Sequence, residues 1–438
     1  MTEVAERNIT LEGLHDRFGQ LDAMVPIHKI RSEAFNHLNN IGLPKVKNEE
    51  YKYTNVTKAL EKNFNFAPAA SPSKIEQTTI DEITFDGLDA YRLVFINGHF
   101  SPDLSDNINV KGVSVMNVAK AIENIDKDFL KHFGTVSSKN DDAFFALNTS
   151  LTEDGAYINI ADNVVLDKPL ALCFIIDSSD KSTYTTSRNL IVTGVNSQVD
   201  ILEIFATQGS EGSFSNTATE IVVGENAHVN FYKIQNNKEN AYQVDTTQVS
   251  QSRSSVFSTY TFTLNGAIIR NNLNVAIAGE GCESHMYGLY VVDDKTHIDN
   301  HTVADHISPN SFSNELYKGI LEDNAKAVFN GKVFVRKEAQ KTNAFQSNKN
   351  ILLSDTAVIN TKPQLEIWAD DVKCTHGCTT GQLDDEALFY LRSRGLDKDH
   401  ARSFLLYAFA IEVIEQVKLD PLKEYLKHII SERLHKDF

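Results

Sequence analysis

The chain has 438 residues, of which 41% are hydrophobic and 23% charged, and its formal net charge is −17. This composition is typical of a globular protein with a large core, and the acidic balance argues against binding to nucleic acid. No apolar run of about 18 residues and no signal-peptide pattern occur, so we expect a cytoplasmic protein without a membrane span. Four cysteines in so long a chain argue against a disulfide scaffold.

Residues 1–80 are predicted to form an N-terminal helical domain with a linker. One helix is indicated by apolar residues at spacings of three and four, which are Ile27, Ile30, Ala34, Leu38 and Ile41. Gly42 and Pro44 are expected to end that helix. The stretch from Phe64 to Thr79 contains Ala, Ser and two prolines and is predicted to be the linker.

Residues 81–376 are predicted to form the β core. The run from Leu93 to Ile96, followed by Asn97-Gly98, predicts a strand and a turn, and a helical patch is expected near 118–133. Further along, "IVTGVNSQVDILEI" from Ile191 and "IVVGENAHVNFYKI" from Ile221 repeat at an offset of 221 − 191 = 30 residues.

Three looser copies of this repeat follow, and each of the five copies has a small residue after a turn. These small residues are Ser197, Ala227, Cys282, Ala325 and Ala357. A small residue at a tight corner, followed by alternating apolar residues, is typical of a coil of stacked strands. We therefore predict a mainly β fold with a right-handed parallel β-helix, or β-solenoid, between α-helical ends. A β-sandwich is the alternative.

Residues 377–438 are predicted to form a C-terminal helical domain. Asp384, Asp397 and Asp420 are expected to begin its three helices. In the second helix, residues 404–411 are apolar on every side, which predicts either full burial or a surface shared with a partner chain.

Cys374, His376 and Cys378 alternate along the chain within "KCTHGCTTG". On a strand, such residues share one face, and thiolate and imidazole groups bind zinc, iron or copper(I). The other interpretation is structural, because free cysteines and single histidines are often ordinary buried residues. The spacing alone leaves both interpretations open.

A second group of candidate ligands lies between residues 282 and 306, and comprises Cys282, His285, His297, His301 and His306. Cys282 occupies a corner of the repeat, which favours a packing role. Two alternatives use the His- and Asp-rich residues 285–306. One is a metal-binding protein, and the other is a carbohydrate-active β-helix enzyme whose carboxylates would be Asp293, Asp294, Asp299 and Asp305. Motifs for nucleotide binding, zinc proteolysis and serine hydrolysis do not occur.

Gln346, Asn348 and Asn350 also alternate, so they are predicted to project from one strand face. An amide ladder that stabilises the stacked coils is the simpler interpretation. A binding surface is the alternative.

Several separated segments together resemble the SufB/SufD family of iron–sulfur cluster assembly proteins, in its SufD branch. These segments are "GLPKVKNEEYKYTNV", "HIDNHTVADH", "AVFNGKVFVRKEAQKTNAFQSNKNILLS" and "DDVKCTHGCTTGQLDDEALFYLRSRG". The SufB branch has a glutamate-bearing segment where this chain has His376. Family members often have alanine at the position of Cys378.

The resemblance implies a non-enzymatic scaffold subunit for de novo cluster assembly, with a role in iron acquisition. It implies that a SufB-like chain binds the β-helix, or a second copy where SufB is absent. It also implies that the ABC-type ATPase SufC binds the C-terminal helices, through Phe404, Leu405, Tyr407, Ala408, Phe409 and Glu412. His376 and Cys374, with Cys378, would hold iron or a nascent cluster transiently at the SufB interface, and no tightly bound cofactor is implied.

Overall fold

The computed structural model describes residues 9–64, 75–136 and 142–434. The N-terminal helices are α1 (Ile9–Gly19), α2 (His28–Ile41), α3 (Val56–Asn63) and α4 (Gln77–Ile83), with a 3₁₀ turn at Glu49–Tyr51. Most of the predicted linker, residues 65–74, lies outside the described residues, and its last part already belongs to α4.

The predicted helix at residues 27–41 is present as α2, but its buried face differs from the predicted one. Leu38 is buried as expected, whereas Ile41 is 44% exposed. Phe35 and Arg31 are buried instead. Arg31 is drawn inward because its Nε donates to the carbonyl oxygen of Thr152 across 2.9 Å.

The entry into the β core combines short strands and helices. These are β1 (Tyr91–Ile96), β2 (His99–Phe100), β3 (Val113–Asn117), α5 (Val118–Glu123), α6 (Lys127–His132), α7 (Ala143–Ser150) and β4 (Ala156–Ile160). The turn predicted at Asn97-Gly98 joins β1 to β2, and both residues have positive φ. The fully buried helix α7 was not predicted.

Fifteen long strands follow, from β5 to β19. They are β5 (Leu170–Asp177), β6 (Thr183–Thr193), β7 (Gln198–Gln208), β8 (Ser213–Val223), β9 (His228–Asn236), β10 (Ala241–Gln251), β11 (Val256–Asn265), β12 (Ile268–Ile277), β13 (Glu283–Val292), β14 (His297–His306), β15 (Phe312–Leu321), β16 (Lys326–Val335), β17 (Asn343–Leu352), β18 (Val358–Ile367) and β19 (Lys373–Gly381). The last strand extends past the domain boundary predicted at residue 376.

Successive strands alternate between two sheets, so that each strand pairs with the second strand after it. Odd-numbered strands from β5 to β19 form one sheet and even-numbered strands from β4 to β18 form the other. All these pairings are parallel, and they build a β-solenoid of about eight turns. The predicted β-solenoid is therefore confirmed, and the alternative β-sandwich is wrong because such sandwiches are antiparallel.

The corners of the solenoid explain the repeat. Asn196 and Asn226 adopt positive φ, a conformation that asparagine tolerates, and the small residues Ser197 and Ala227 follow them fully buried. The amide Nδ2 of Asn226 donates to Oδ1 of Asn196 across 2.8 Å. Each corner thus stacks on the previous one, which requires a small side chain at the same point of every coil.

The interior of the solenoid is apolar at its N-terminal end. Phe95, Phe174 and Phe205 stack along the axis with ring centroids 5.1 and 5.2 Å apart. Outside, α1 to α3 and α5 to α7 pack on the even-numbered sheet, whereas α4 and the C-terminal helices pack on the odd-numbered sheet.

The chain ends in three helices, α8 (Asp385–Ser393), α9 (Lys398–Ile414) and α10 (Asp420–Arg433). Asp384 and Asp397 cap α8 and α9 as predicted, whereas α10 begins at Asp420 itself and Leu419 takes the cap position. Among the described residues, no helix combines the length and the apolar character that crossing a bilayer requires.

Candidate functional site

The C-terminal end of the solenoid is open. Strands β18 and β19 are the last of their sheets, and within the described residues neither has a partner on its outer side. Their outward N–H and C=O groups are therefore available for pairing with another strand. We call this open end, formed by β18 and β19, the mouth.

Cys374, His376 and Cys378 lie on β19 at the mouth. They are in register with Ala344, Gln346 and Asn348 of β17, whose side chains are buried in the solenoid interior. Because no further coil in the described part of the chain covers β19, the same inward positions become accessible there: Cys374 is half-buried, and His376 and Cys378 are exposed. The three groups thus share one strand face at the edge of the fold.

These three side chains do not form a complete metal site. Across the described ranges, no three His, Cys, Asp or Glu side chains converge closely enough to hold a metal ion. Same-face neighbours on a strand are about 6.6 Å apart at their Cα atoms, whereas a zinc ion needs its donors within about 2.0–2.3 Å. Burial raises the pKa of the Cys374 thiol. The arrangement offers separate donors to a site that another molecule must complete.

The other two cysteines are structural. Cys282 is fully buried, and its thiol contacts the carbonyl oxygens of Ser252 and Gly279 at 3.0 and 3.2 Å. Burial raises the pKa of Cys173 to about 12. All four cysteines are free thiols. The packing role inferred for Cys282 agrees with this environment.

The histidine-rich segment does not assemble into one site. His306 points into the solenoid, where its Nε2 lies 2.8 Å from Ser313 Oγ and burial lowers its pKa to about 4. His297 lies on the opposite face of β14, and its Nε2 is 3.0 Å from Thr54 Oγ1. His285 is on the other sheet, beside Glu283.

Two aspartates of this segment, Asp299 and Asp305, are engaged in ion pairs. Asp305 pairs with Arg336 across 2.7 Å. Asp299 is fully buried, which favours its neutral form, but Arg270 at 2.6 Å and His301 at 2.9 Å hold its pKa well below the ordinary value. A glycosidase needs one carboxyl group that stays protonated, and Asp299 does not supply it.

The three alternating amides lie inside the solenoid. Asn350 Nδ2 donates to Asn348 Oδ1 across 2.7 Å, and Tyr290 donates its hydroxyl hydrogen to Asn350 Oδ1 across 2.5 Å. Gln346 Nε2 donates to Glu315 Oε2 across 2.7 Å. A binding surface formed by these amides is therefore wrong, because all three are buried.

Helix α9 packs one face on the solenoid and presents another. Leu406, Ala410, Val413 and Ile414 are buried, whereas Phe404 is 48% exposed and Ala408 is also exposed. Full burial of this helix is thus wrong, since only one side meets the sheet.

Some of the remaining residues that the family resemblance assigns to the ATPase contact have side chains that are not fully exposed to solvent. Leu405 and Tyr407 are half-buried. Phe409 packs against the solenoid, with Lys318 Nζ 4.0 Å from its ring centroid, and Glu412 pairs with Lys318 and Lys349. On α8, Phe389 is 73% exposed and Tyr390 is exposed as well. These two aromatic residues were not predicted from the sequence as part of the contact, although they lie in a short helix next to α9.

Two family models cover most of the chain. Residues 174–409 match the SUF system FeS cluster assembly SufBD core domain, and residues 17–172 match the SufBD protein N-terminal region. An iron–sulfur cluster assembly SufBD family protein of Synechocystis is 31% identical over 92% of this chain and 90% of its own length.

Other relatives extend the match. The iron–sulfur cluster assembly protein SufD of Escherichia coli is 30% identical over 92% of both chains. The chloroplastic protein ABCI7 of Arabidopsis thaliana is 26% identical over 90% of this chain and 83% of its own. The chain therefore belongs to the SufB/SufD family of iron–sulfur cluster assembly proteins and is SufD-like.

Proposed function

We propose that this chain is a non-enzymatic scaffold subunit of a cytoplasmic iron–sulfur cluster assembly complex. It pairs at the mouth with a SufB-like chain and through its C-terminal helices with a SufC-type ABC ATPase. The single observation that carries this proposal is the mouth itself, where Cys374, His376 and Cys378 lie on a terminal strand whose outer edge has no partner within the described residues.

The open edge supports pairing with a second chain. A strand with unpaired backbone groups binds another strand through main-chain hydrogen bonds, and side chains beside it provide specificity. When a partner strand adds to β19, donors from both chains face each other across the mouth. Each chain then needs to supply only one or two ligands.

The chemistry of the donors suits iron or a cluster as cargo. Thiolates hold iron–sulfur clusters, and imidazole is a borderline ligand that binds iron and releases it more readily. A site shared between two chains opens when the chains move apart, which allows the cargo to leave. Iron acquisition at His376 fits this role.

The exposed apolar surface on α8 and α9 supports docking of an ATPase. Phe389, Tyr390 and Phe404 present aromatic area beside the half-buried Leu405 and Tyr407. Exposed clusters of aromatic residues mark protein interfaces. The absence of a nucleotide-binding motif from the sequence agrees with ATP hydrolysis on a separate subunit.

Anaerobic reconstitution of the purified complex tests the proposal. The intact complex should contain a SufB-like chain and an ABC-type ATPase, and it should acquire iron and acid-labile sulfide. His376→Ala should preserve the complex but lower both contents, whereas His428→Ala, an exposed histidine on α10, should change neither. Normal maturation with His376→Ala would remove that residue from the site, and failure to co-purify either partner would overturn the scaffold role.

The ATPase contact is tested separately. Phe404→Asp should abolish binding of the ATPase and leave pairing with the SufB-like chain intact, because the mouth lies on other elements. Met24→Asp, at a position 90% exposed on the N-terminal side, is the matched control and should bind both partners. Unchanged ATPase binding by Phe404→Asp would remove α9 from that interface.

A further inference from the structure

Glu315, Gln346 and His376 form one column on three neighbouring strands. Glu315 of β15 is in register with Gln346 of β17, and Gln346 is in register with His376 of β19. Neighbouring strands lie about 4.8 Å apart, so each of these side chains is within reach of the next. The column therefore leads from the buried interior to the mouth.

Only one half of the Gln346 amide has a partner. Its Nε2 donates to Glu315 Oε2 across 2.7 Å, and both side chains are buried, at 3% and 2% exposure. Its Oε1 is also buried and has no hydrogen-bond donor among the described residues. A buried acceptor without a donor costs about 1–3 kcal/mol, so this position favours any donor that can approach.

The neighbouring amides differ from Gln346 in this respect. Asn348 Oδ1 accepts from Asn350 and Asn350 Oδ1 accepts from Tyr290. Their oxygen atoms are satisfied within the interior, as expected of purely structural amides. Gln346 is the member of the group that is in register with His376 and still has an acceptor to offer.

The Gln346 side chain is also held in place from the opposite sheet. A Cβ atom added to Gly331 would lie 2.3 Å from Gln346 Nε2, so this glycine provides the space that the amide occupies. With Nε2 committed to the carboxyl group of Glu315, Oε1 is the atom left for the strand nearer the mouth.

We propose that Gln346 is a positioning residue for His376, whose ring N–H donates to Gln346 Oε1. This inference rests on the proposed function and deepens it. His376 is solvent-exposed and has no hydrogen-bond partner among the described residues, so its ring is free to rotate toward Gln346. One ring nitrogen then carries the hydrogen, and the other presents its lone pair at the mouth.

The proposed contact matches the chemistry of metal-binding histidines. Such a histidine usually donates its second ring N–H to a carbonyl or carboxylate oxygen, which fixes the tautomer and strengthens the ligand. Loss of that partner typically lowers metal affinity about 10–100-fold. Gln346, oriented by Glu315, would supply this support from within the same chain.

The NMR chemical shifts of the histidine ring nitrogens, measured on the full-length chain, test the proposal. The chain is labelled with ¹⁵N-histidine and measured at about pH 8, where an ordinary imidazole is neutral, and His376→Ala identifies the signals. The wild-type ring should show one dominant tautomer, whereas Gln346→Met, which keeps the length but lacks the acceptor, should show a mixture. Binding of Co²⁺, used as the probe ion, should weaken about tenfold in Gln346→Met.

Two further variants provide the controls. Asn350→Ala removes a buried amide that is in register with Thr380 rather than His376, so it should leave the His376 shifts unchanged. Gln346→Glu retains an acceptor and should keep the single tautomer. If Gln346→Met folds and its His376 shifts equal those of the wild type, the inference is overturned. If Gln346→Met does not fold, a tautomer mixture in Gln346→Glu overturns it instead.

The ring shifts are read on the isolated chain, so they are independent of cluster assembly. If His376→Ala matures clusters normally while Gln346→Met changes the shifts, the proposed function fails and the positioning contact remains. If His376→Ala blocks maturation and Gln346→Met leaves the shifts unchanged, only the positioning contact fails.

Discussion

Lys349 Nζ on β17 lies 3.2 Å from Glu412 Oε1 on α9, and this ion pair ties the C-terminal helices to the solenoid. Glu412 also pairs with Lys318 on β15, whose side chain is only 3% exposed. Lys318 donates in addition to the carbonyl oxygen of Phe409 across 2.7 Å. One carboxylate thus anchors α9 to two neighbouring strands.

Replacing Glu412 with alanine should weaken the attachment of α9. Burial already lowers the pKa of Lys318, so the loss of its carboxylate partner leaves a poorly solvated cation. Removing one partner of a buried ion pair costs about 3–5 kcal/mol, and we expect about 2 kcal/mol here because Glu412 is partly exposed. The measurement is chemical denaturation, monitored by far-UV circular dichroism.

Two comparisons decide the interpretation. The double variant Glu412→Ala with Lys318→Met should recover most of the lost stability, because no buried charge remains. Glu33→Ala removes an exposed ion pair with Lys29 on α2 and should leave stability nearly unchanged. Equal losses in the single and double variants would contradict the explanation.

Glu315 should make stability depend on pH. Its burial raises the carboxyl pKa from 4.5 to about 7. A raised pKa in the folded state means that folding favours the protonated form, so the stabilisation is fully present below pH 4.5 and is lost as pH rises through 7. A difference of this size between the folded-state and unfolded-state pKa corresponds to about 3 kcal/mol in the free energy of unfolding.

Glu315→Gln should remove this dependence, because the amide resembles the protonated acid and carries no charge. Thermal melts at about pH 5 and about pH 8 should differ less in the variant than in the wild type. The variant should also be the more stable protein at the higher pH. A wild-type-like pH dependence in Glu315→Gln would assign the effect to other groups, such as the buried Glu203, whose pKa burial also raises.

The sequence repeat predicted the β-solenoid because the residues that form each corner are close together in the sequence. A turn residue and a small corner residue recur in every coil, and Ser197, Ala227, Cys282 and Ala325 are all fully buried. Stacking imposes the same steric demand on each coil, so a 30-residue offset is enough to identify the architecture. The caps at Asp384 and Asp397 are local in the same way.

Contacts between distant segments were not predictable from spacing. His301 and His306 are near in sequence but lie on opposite faces of β14. Whether each face meets solvent, the interior or the N-terminal domain depends on residues far along the chain, as the ion pair between His301 and Glu50 illustrates. The buried face of α9 and the burial of Gln346 depend on tertiary packing for the same reason.

Cys282 should tolerate alanine but not a larger side chain. Alanine already occupies the equivalent corner at residues 227, 325 and 357, so Cys282→Ala should change stability by less than about 1 kcal/mol. Cys282→Leu should destabilise by about 1–3 kcal/mol through overpacking. Urea denaturation measures both values, and a large loss in Cys282→Ala would show that its thiol contacts matter more than its size.

The four cysteines should differ in reactivity toward a thiol reagent. Cys378 is exposed and Cys374 half-buried, whereas Cys173 and Cys282 are buried. Since the thiolate is the reactive species and burial raises the Cys374 pKa, Cys378 should be alkylated first, Cys374 more slowly and the other two only after unfolding. Mass spectrometry of iodoacetamide-treated protein gives the order directly. If a SufB-like chain covers the mouth, its addition should protect both Cys374 and Cys378, and undiminished labelling in the complex would place the partner elsewhere.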